Sequence, residues 1–451
     1  MSTAPSTRSR GAFSNGMWGA VQQTLAVASS SAFSLLLILF VPVREYGVYS
    51  YGISLASIGI AVMSAGLSGL AVKALVVDRA RNAGIVTSLL LIREGFALGA
   101  YVLLVSASLT SGDSLTIAVT CVSCLALFGR AFDAPELWFV SQMRSRRVAT
   151  ARIGVTVALF AFRMVALFLW PHVELFVALY VLEALLAAAL IVIKYLRERD
   201  SPGLGKPDRR IAKELMGSSW PLMLSSVANQ LNLRGDVLLI QAFLGAASVG
   251  IYSAAARLSE VANFLPVVFM NATFPVLLDL RKSVGGDHPD YHRALQKSYD
   301  RAFWAGVVVA VGVASVGSAL ITLVFSDTYA PAVPVLCISL VACPFVFMAA
   351  VYSKWIIAEN ILWSSLTRHA FGAVLNLTLN VVLLPTYGII GSAWATLISY
   401  VASSYLACFL GKKSRFAARQ MTLAIIAPLR LLLRAVRGSR ARGTTPRKDP
   451  S

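Results

Sequence analysis

Long apolar segments recur along this chain, and a polar or charged stretch separates each from the next. A helix needs roughly 20 mostly apolar residues to cross a bilayer, whereas a membrane β-strand needs only about 10. The segments are too long for strands, so they predict an all-α membrane protein with twelve transmembrane helices. The predicted spans are residues 15–40, 48–75, 84–107, 114–132, 151–171, 173–196, 217–243, 248–278, 301–325, 331–357, 367–386 and 391–411.

Composition and charge placement support a membrane protein. Of the 451 residues, 57% are hydrophobic and 14% are charged, whereas soluble proteins carry about 25% charged residues. The net charge of +19 would also suit a nucleic-acid partner. If the amino terminus is cytoplasmic, however, most of the 40 Lys and Arg residues fall on the cytoplasmic side and Arg44 alone is external. The positive-inside rule therefore predicts a multi-pass protein of the plasma membrane (the cell inner membrane), with both termini cytoplasmic and no nucleic-acid partner.

One short motif occurs twice. It reads "EYGVYSYGISLAS" at the start of the second span and "SVGIYSAAARLSE" at the start of the eighth, so that Gly47 and Tyr49 align with Gly250 and Tyr252. Because each half holds six spans, both halves have the same orientation, and the repeat predicts two pseudo-symmetric six-helix bundles, a transporter architecture. We expect the glycines to permit tight turns and the tyrosines to lie in an interfacial aromatic belt.

These features divide the chain into five predicted regions. The charged stretch between the halves, which contains Pro and Gly, is a linker. The carboxy-terminal region combines an apolar run with arginines, and we expect it to rest on anionic membrane lipids. The regions are a cytoplasmic amino-terminal segment (1–14), an amino-terminal six-helix bundle (15–196), a cytoplasmic linker (197–216), a carboxy-terminal six-helix bundle (217–411) and a basic cytoplasmic tail with an interfacial amphipathic segment (412–451).

Three motifs that carry chemistry in other proteins lie in unsuitable places here. The "CVSC" of Cys121–Cys124 is inside a predicted span, where cysteine behaves as a small apolar residue. Pro289 interrupts the helical spacing that a metal site at His288 and His292 would need. The "GDSL" stretch is a short external turn without a matching His and Asp pattern. We therefore predict no catalytic residues, no metal site, no cofactor and no enzyme activity.

Several longer stretches resemble one known family. The stretch "SSWPLMLSSVANQLNLRGDVLLIQAFLGAASVGIYSAAARLSE" resembles the start of the carboxy-terminal half of prokaryotic polysaccharide transporters. These are the O-antigen flippase group of the multidrug/oligosaccharidyl-lipid/polysaccharide flippase superfamily. The stretches "FSDTYAPAVPVL" and "LNLTLNVVLLPTYGIIGSAWATLISY" agree, and the resemblance covers residues 10–411. It implies a flippase that moves a polyprenyl-pyrophosphate-linked oligosaccharide to the outer leaflet by alternating access, with a polysaccharide polymerase and a chain-length protein as partners.

Polar side chains at helical spacing mark candidate substrate-binding faces. In the seventh span, Ser225, Asn229 and Asn232 recur at intervals of four and three residues, and Asn376 and Asn380 share a face of the eleventh. Such spacing places the side chains on one side of a helix. We expect these faces to line a hydrated cavity between the halves. The alternative is hydrogen bonding between packed helices.

Ionisable residues at membrane depth are stronger signals, because each costs several kcal/mol unless it is paired or hydrated. Arginines would bind the pyrophosphate and sugar hydroxyls, since a guanidinium fits phosphate oxygens. Carboxylates would couple transport to a proton or sodium gradient. The candidate binding arginines are Arg93, Arg163, Arg234 and Arg257, and the candidate coupling residues are Asp236, Glu183 and Glu260.

Structural ion pairs are the alternative for these residues. Arg257 and Glu260 are three residues apart on one helix and could satisfy each other. Arg163 and Glu183 lie at similar depths on helices joined by a short turn. Asp236 would then pair with a neighbouring arginine.

Two other functions remain open. A cation-coupled drug or small-molecule exporter of the same superfamily would share this architecture. A polytopic glycosyltransferase or polymerase would need a large external loop with catalytic acids, and the predicted external loops are short. We predict the flippase.

Overall fold

The computed structural model describes residues 7–109, 112–286, 288–359, 361, 363–411, 413–428 and 430. Nearly all of these residues are helical, which confirms the predicted all-α class. The α-helices are α1 (Thr7–Leu37), α2 (Val43–Ser64), α3 (Leu67–Val77), α4 (Asn82–Leu109), α5 (Ser114–Cys124), α6 (Ala126–Ala131), α7 (Ala134–Ser141), α8 (Ser145–Leu169), α9 (Val173–Arg197), α10 (Arg209–Val284), α11 (Pro289–Leu323), α12 (Ala332–Val341), α13 (Cys343–Ala358), α14 (Trp363–Ser404) and α15 (Ser414–Ile425). Short 3-10 helices cover Arg79–Arg81, Asp327–Tyr329 and Leu406–Phe409.

Ten segments of the described chain are long and apolar enough to cross a membrane, which supports a multi-pass membrane protein. They are Met17–Leu37, Val43–Val77, Arg79–Leu109, Ser114–Ser141, Ser145–Leu169, Val173–Arg197, Arg209–Ala262, Pro289–Leu323, Asp327–Ile356 and Thr367–Phe409. The number differs from twelve because the seventh and tenth segments each contain one non-helical glycine, Gly245 (φ 80°) and Gly388 (φ 58°).

Both of these segments fold back on themselves at the glycine. Asp236 and Tyr252 are 16 residues apart, or roughly 24 Å along a straight helix, yet their side chains are hydrogen-bonded. Asn376 and Thr396 are 20 residues apart, or about 30 Å along a straight helix, yet Asn376 Nδ2 donates to Thr396 Oγ1 at 3.4 Å. Glycine adopts a positive φ without steric cost. Each segment is therefore a helical hairpin.

Three of the predicted spans are broken into shorter helices, and the one predicted at 48–75 consists of α2 and α3. The span predicted at 114–132 continues to Ser141 as α5, α6 and α7, and the one predicted at 331–357 consists of α12 and α13. Pro135 and Pro344 lie in the first turns of α7 and α13. Proline is tolerated there but not in a helix interior, and it also disfavours helical geometry in the residue before it. These two prolines explain where the new helices begin.

The linker between the predicted halves is shorter than the sequence indicates. Helix α10 begins at Arg209, inside the range 197–216. Asp208 caps it, because one side-chain oxygen accepts from the backbone N–H groups of Arg210 at 2.9 Å and Ile211 at 3.2 Å. Such a cap stabilises the first turn of a helix by about 1 kcal/mol. The first turns of α10 thus replace the second part of the linker.

Helices α2 and α10 cross at the two glycines of the repeated motif. A Cβ on Gly47 would stand 1.8 Å from the carbonyl oxygen of Ala246, and one on Gly250 would stand 2.2 Å from that of Val43. Both glycines lie inside helices, and neither has a positive φ. The prediction that they form tight turns is wrong. They lack a side chain so that two helix backbones can touch.

The tyrosines of the motif also lie elsewhere than predicted. Tyr49 is 7% exposed and Tyr252 is 2% exposed, so neither belongs to an interfacial aromatic belt. The ring of Tyr49 packs edge-on against Phe33, with 6.4 Å between the ring centroids. An aromatic residue near a helix end can enter the core when a partner helix covers it, and α10 covers α2 here.

Helix α15 lies in the predicted tail and packs against α11. The rings of His292 and Phe416 are 4.6 Å apart, and Trp304 Nε1 donates to the carbonyl oxygen of Ala424 at 3.2 Å. Arg430 forms an ion pair with Asp300 at 2.9 Å. The small side chains on the buried face of α15 permit this close packing. Lipid contact by the segment stays a prediction, and the rest of the predicted tail lies outside the described residues.

Candidate functional site

Three of the predicted site residues meet on the α10 hairpin. Glu260 accepts from two arginines: its Oε1 is 2.7 Å from Arg234 Nη1 and its Oε2 is 2.9 Å from Arg257 Nη1. The predicted pairing of Arg257 with Glu260 is confirmed. Arg234 joins them because the bend at Gly245 brings the two arms of the hairpin together. We call these three residues the charged triad; they carry one net positive charge.

A small cavity adjoins the charged triad where α2 crosses α10. Its volume is about 20 Å³, enough for roughly one water molecule. An oligosaccharide could not enter it in this conformation, so the two helices are closed against each other here. Polar residues of both helices line it: Ser50 and Ser54 of α2, and Arg234, Asp236, Tyr252 and Arg257 of α10.

Asp236 is buried beside this cavity, and neutral donors hold its carboxylate. Tyr252 donates its hydroxyl to Oδ2, and the backbone N–H of Val237 donates to Oδ1 at 2.9 Å. Its exposed fraction is 5%. Over the described ranges Asp236 has no ion-pair partner, although Arg234 lies two residues away. The two arginines nearest in the fold are directed to Glu260 instead.

Hydrogen bonds continue from Asp236 into the α14 hairpin. The hydroxyls of Tyr252 and Thr396 are 3.3 Å apart, and Thr396 Oγ1 also accepts from Asn376 Nδ2. Asn380 Nδ2 donates to the backbone oxygen of Asn376 at 2.9 Å and to its Oδ1 at 3.3 Å. We call these five residues the Asp236 cluster. It joins the two helical hairpins.

The predicted polar face of the eleventh span therefore lies in packed protein. Asn376 and Asn380 are 1% and 0% exposed, which matches the alternative of interhelical hydrogen bonding. One oxygen of the cluster, Asn380 Oδ1, is buried without a hydrogen-bond partner. A buried oxygen without a donor costs free energy of about 1–3 kcal/mol. The region thus has spare acceptor capacity.

No conventional metal centre accompanies this cluster. Within the described parts of the chain, no three His, Cys, Asp or Glu residues lie close enough together to hold a metal ion. The cluster has one carboxylate, and its other oxygens are neutral amides and hydroxyls. Oxygen ligands suit hard cations such as those of sodium or calcium rather than zinc or copper.

Arg163 and Glu183 form the predicted pair away from the α2–α10 cavity. Arg163 Nη2 is 2.9 Å from Glu183 Oε2 and donates to the backbone oxygen of Leu179 at 3.2 Å. Thr156 Oγ1 donates to the other carboxylate oxygen at 2.9 Å. The contacts tie α8 to α9, so the pair has the geometry of a structural bridge.

The remaining predicted residues are also absent from the cavity lining. Arg93 is buried in α4 and donates from Nη2 to Ser68 Oγ at 3.0 Å. Asn232 is buried with its Oδ1 unpartnered and lies against Gly372 of α14. Asn229 is half-buried on the same helix. The structure therefore gathers Arg234, Arg257, Glu260 and Asp236 at one place and leaves these three outside it.

Sequence reasoning overlooked three serines of this site, Ser50, Ser54 and Ser253, and the hydroxyl groups of Tyr252 and Thr396. The serines could have been found from the repeat, because Ser50 and Ser54 occupy the same positions in the first copy as Ser253 and Arg257 in the second. All four residues line the cavity. Positions related by the repeat thus face one another. Tyr252 and Thr396 have no comparable signal, since their role depends on the two hairpins meeting.

Two family models match the chain. The model described as "Polysaccharide biosynthesis protein" matches residues 13–281, and the model described as "Lipid II flippase MurJ" matches residues 148–439. Each match covers more than half of the chain. Together the two models match most of both halves of the chain.

Curated relatives resemble part of the chain. Probable flippase AglR of Haloferax volcanii is 30% identical over 180 residues, which are 38% of this chain and 36% of that protein. Probable low-salt glycan biosynthesis flippase Agl15 of the same organism is 23% identical over 239 residues, 52% of this chain and 50% of that protein. The chain thus spans half or less of the length of these relatives.

Solved structures share the fold. A structure of lipid II flippase MurJ in an inward closed conformation has a TM-score of 0.71 at 13% identity and covers 92% of both chains. An inward-facing multidrug resistance MATE transporter of the MOP superfamily has a TM-score of 0.64 at 15% identity, covering 88% of this chain and 95% of that one. At such low identities these likenesses show the fold alone. Since its model matches more than half of the chain, the chain belongs to the polysaccharide biosynthesis protein family.

Proposed function

We propose that this protein is a flippase that carries a polyprenyl-pyrophosphate-linked oligosaccharide across the plasma membrane (the cell inner membrane) for surface polysaccharide synthesis. The observation that carries the proposal is the charged triad at the closed crossing of α2 and α10. It offers two guanidinium groups, Arg234 and Arg257, on opposite arms of one hairpin. Guanidinium forks suit the oxygens of a pyrophosphate.

Glu260 would stand in for the pyrophosphate when the site is empty. A buried arginine without a partner is strongly destabilising, typically by about 3–5 kcal/mol. The carboxylate satisfies both arginines while α2 and α10 are closed. When the helices part, the diphosphate would replace Glu260 at the two guanidinium groups. The site can then exist both loaded and empty without leaving an uncompensated charge.

The proposed topology has twelve crossings and cytoplasmic termini. A straight helix of 54 residues, the length of Arg209–Ala262, would be about 81 Å long, whereas the bilayer core is about 30 Å thick. If the hairpins at Gly245 and Gly388 each cross twice, the ten segments supply twelve crossings. Reciprocal contacts support two pseudo-symmetric bundles of six helices, because Gly47 meets Ala246 and Gly250 meets Val43.

We further propose that the Asp236 cluster holds the coupling cation, a sodium ion or a proton. A single buried carboxylate that is held by neutral donors can bind either one. The unpartnered oxygen of Asn380 supports a cation with oxygen ligands. Tyr252 touches both Asp236 and Thr396, so a change in cation occupancy would be felt by both helical hairpins. The carboxylate of Glu260 would release the substrate, and Glu183 would serve structure.

The product of flipping must be consumed on the outer side of the membrane. An oligosaccharide unit on a lipid carrier becomes surface polysaccharide only when units are joined. We therefore propose a polysaccharide polymerase and a chain-length protein as functional partners, with membrane lipids around the helices.

Flipping in proteoliposomes tests the proposed function. We expect Arg234→Ala and Arg257→Ala each to lower transport of a lipid-linked oligosaccharide, because each change removes charge-assisted contacts of about 1.5–3 kcal/mol, or about 10- to 150-fold in affinity. Membrane insertion should be unchanged. Arg281→Ala is the matched control, since Arg281 pairs with Glu359 in a similar ion pair elsewhere. Wild-type flipping by both triad variants would refute the proposal. Transport of cationic drugs without lipid-linked sugar would favour an exporter.

Gradient dependence tests the proposed coupling. Asp236→Asn keeps the size of the side chain but cannot take up a proton and holds sodium poorly. We expect the variant to bind the lipid-linked sugar in detergent while its flipping no longer responds to an imposed sodium or proton gradient. Glu183→Gln is the control, because Glu183 is ion-paired away from the cluster. An unaltered gradient response in a well-folded Asp236→Asn protein would exclude Asp236 from coupling.

A further inference from the structure

One arginine at the start of the predicted span 367–386 is buried in the structure. Arg368 is 6% exposed near the start of α14. Its Nη2 donates to Ser353 Oγ at 3.3 Å, and its Cζ lies 5.3 Å from the ring centroid of Tyr352. The other terminal nitrogen, Nη1, is buried without a hydrogen-bond partner. The guanidinium thus has spare donors.

No carboxylate compensates this charge within the described ranges. Two other buried arginines do have acidic partners there, since Arg152 is bound by Asp133 at 2.7 Å and Arg163 by Glu183 at 2.9 Å. Residues 360 and 362–366 contain no Asp or Glu. A buried cation without a counter-charge costs several kcal/mol. An external anion at Nη1 would relieve that cost.

Arg368 lines a cavity of about 650 Å³, within the size range of small-molecule sites. Phe371 and Leu410 belong to its lining and are 43% and 75% exposed, so the cavity reaches the protein surface. Lys413 supplies a second positive charge at its edge. None of its lining residues takes part in the α2–α10 cavity. It is therefore separate from the proposed transport site.

The walls of this cavity select the kind of anion. Ile361, Phe371, Ala407 and Leu410 make most of the surface apolar, whereas the positive groups are confined to Arg368 and Lys413. A soluble phosphate would leave the apolar walls in contact with water. An amphiphile with a phosphate head and a hydrocarbon chain would satisfy both parts. In the proposed topology this end of α14 faces the cytoplasmic leaflet, which is rich in anionic lipids.

We propose that this cavity binds an anionic phospholipid of the cytoplasmic leaflet, with the phosphate at Arg368 and Lys413 and the acyl chains toward Phe371 and Leu410. The bound lipid joins four elements, because the lining comes from α13, α14, the 3-10 helix Leu406–Phe409 and the start of α15. It therefore fixes the tail helix to the second half of the protein.

Lipid titration of the purified, delipidated protein tests this proposal. Native mass spectrometry would count bound phosphatidylglycerol, with phosphatidylcholine as the neutral comparison. Arg368→Gln removes the buried charge, and Ala407→Phe fills the cavity without changing charge. We expect Arg368→Gln to bind phosphatidylglycerol at least about tenfold more weakly, as loss of a charge-assisted hydrogen bond predicts. Ala407→Phe should also weaken binding, because its ring would occupy the cavity. Arg293→Gln, which removes an exposed charge from α11, should bind like the wild type.

Four outcomes would overturn the proposal. The first two are wild-type phosphatidylglycerol binding by Arg368→Gln, and equal retention of phosphatidylcholine by the wild type. The third is equal competition by glycerol phosphate, which would mean that the site recognises a soluble anion. The fourth is Arg368-dependent binding of a polyprenyl pyrophosphate in place of phosphatidylglycerol, which would assign the cavity to the transported lipid. If Arg368→Gln does not fold, wild-type binding by Ala407→Phe overturns the proposal alone.

Discussion

Substituting Gly47 by alanine would test whether the crossing of α2 and α10 is a closed contact that transport must open. The added Cβ would stand 1.8 Å from the carbonyl oxygen of Ala246 and 2.9 Å from the backbone nitrogen of Gly250. Ordinary carbon-to-oxygen contacts are about 3.3 Å or longer. The helices must therefore separate by roughly 1.5 Å, and no flexible side chain can absorb the shift because both obstacles are backbone atoms.

The size of the effect follows from the cost of overpacking. Extra methyl groups in tightly packed positions typically cost about 1–3 kcal/mol, which corresponds to a shift of about 5- to 150-fold in a two-state equilibrium. We expect Gly47→Ala to depopulate the closed crossing by this factor. Gly250→Ala should act in the same direction but less strongly, because its Cβ would stand 2.2 Å from the carbonyl oxygen of Val43.

Pulsed electron paramagnetic resonance in lipid nanodiscs can measure this shift. Spin labels at Leu39 and Ala247, two exposed positions near the crossing, would be attached in a background without the native cysteines. We expect the label distance to lengthen in Gly47→Ala. The control is Gly99→Ala, since a Cβ on Gly99 would meet nothing within 4 Å. An unchanged distance distribution in a folded Gly47→Ala protein would refute the reasoning.

Two further predictions concern the ion pair and the topology. Arg163→Ala and Glu183→Ala should each lower thermal stability by leaving a buried charge unpaired. The double variant should recover part of the lost stability. If its loss equals the sum of the two single losses, the two residues act independently. Reporter fusions test the twelve crossings, and an external signal at position 287 would contradict the arrangement of the two halves. Cytoplasmic signals are expected at Ser201, Asp287 and Lys413, and external signals at Gly112, Ala247 and Asp327.

The helical class and the ion pair of α8 and α9 could be predicted because both depend on nearby residues. The hydropathy that predicts a membrane helix depends only on the residues of that span. A short turn between α8 and α9 fixes the relative depth of Arg163 and Glu183. The pair of Arg257 with Glu260 needs only the spacing of one helix. In each case the sequence distance that must be bridged is short.

The rest of the site depends on how the helical hairpins close and pack against other helices. Arg234 reaches Glu260 only because the hairpin closes at Gly245, and Tyr252 reaches Asp236 and Thr396 only because two hairpins meet. The burial of Arg368 has the same origin, because Ser353 and Tyr352 of α13 pack against its side chain. The spacing of residues within one helix does not predict which helices pack against each other.

The contact between the two copies of the repeated motif has a consequence for their divergence. Gly47 meets Ala246 and Gly250 meets Val43, and these partners also correspond to each other in the repeat. The contact is thus self-complementary, as in a symmetric dimer. A side chain added at either glycine would therefore clash with the backbone of the other copy. The two copies can differ in charge, as Ser54 and Arg257 do, but both need glycine at the contact.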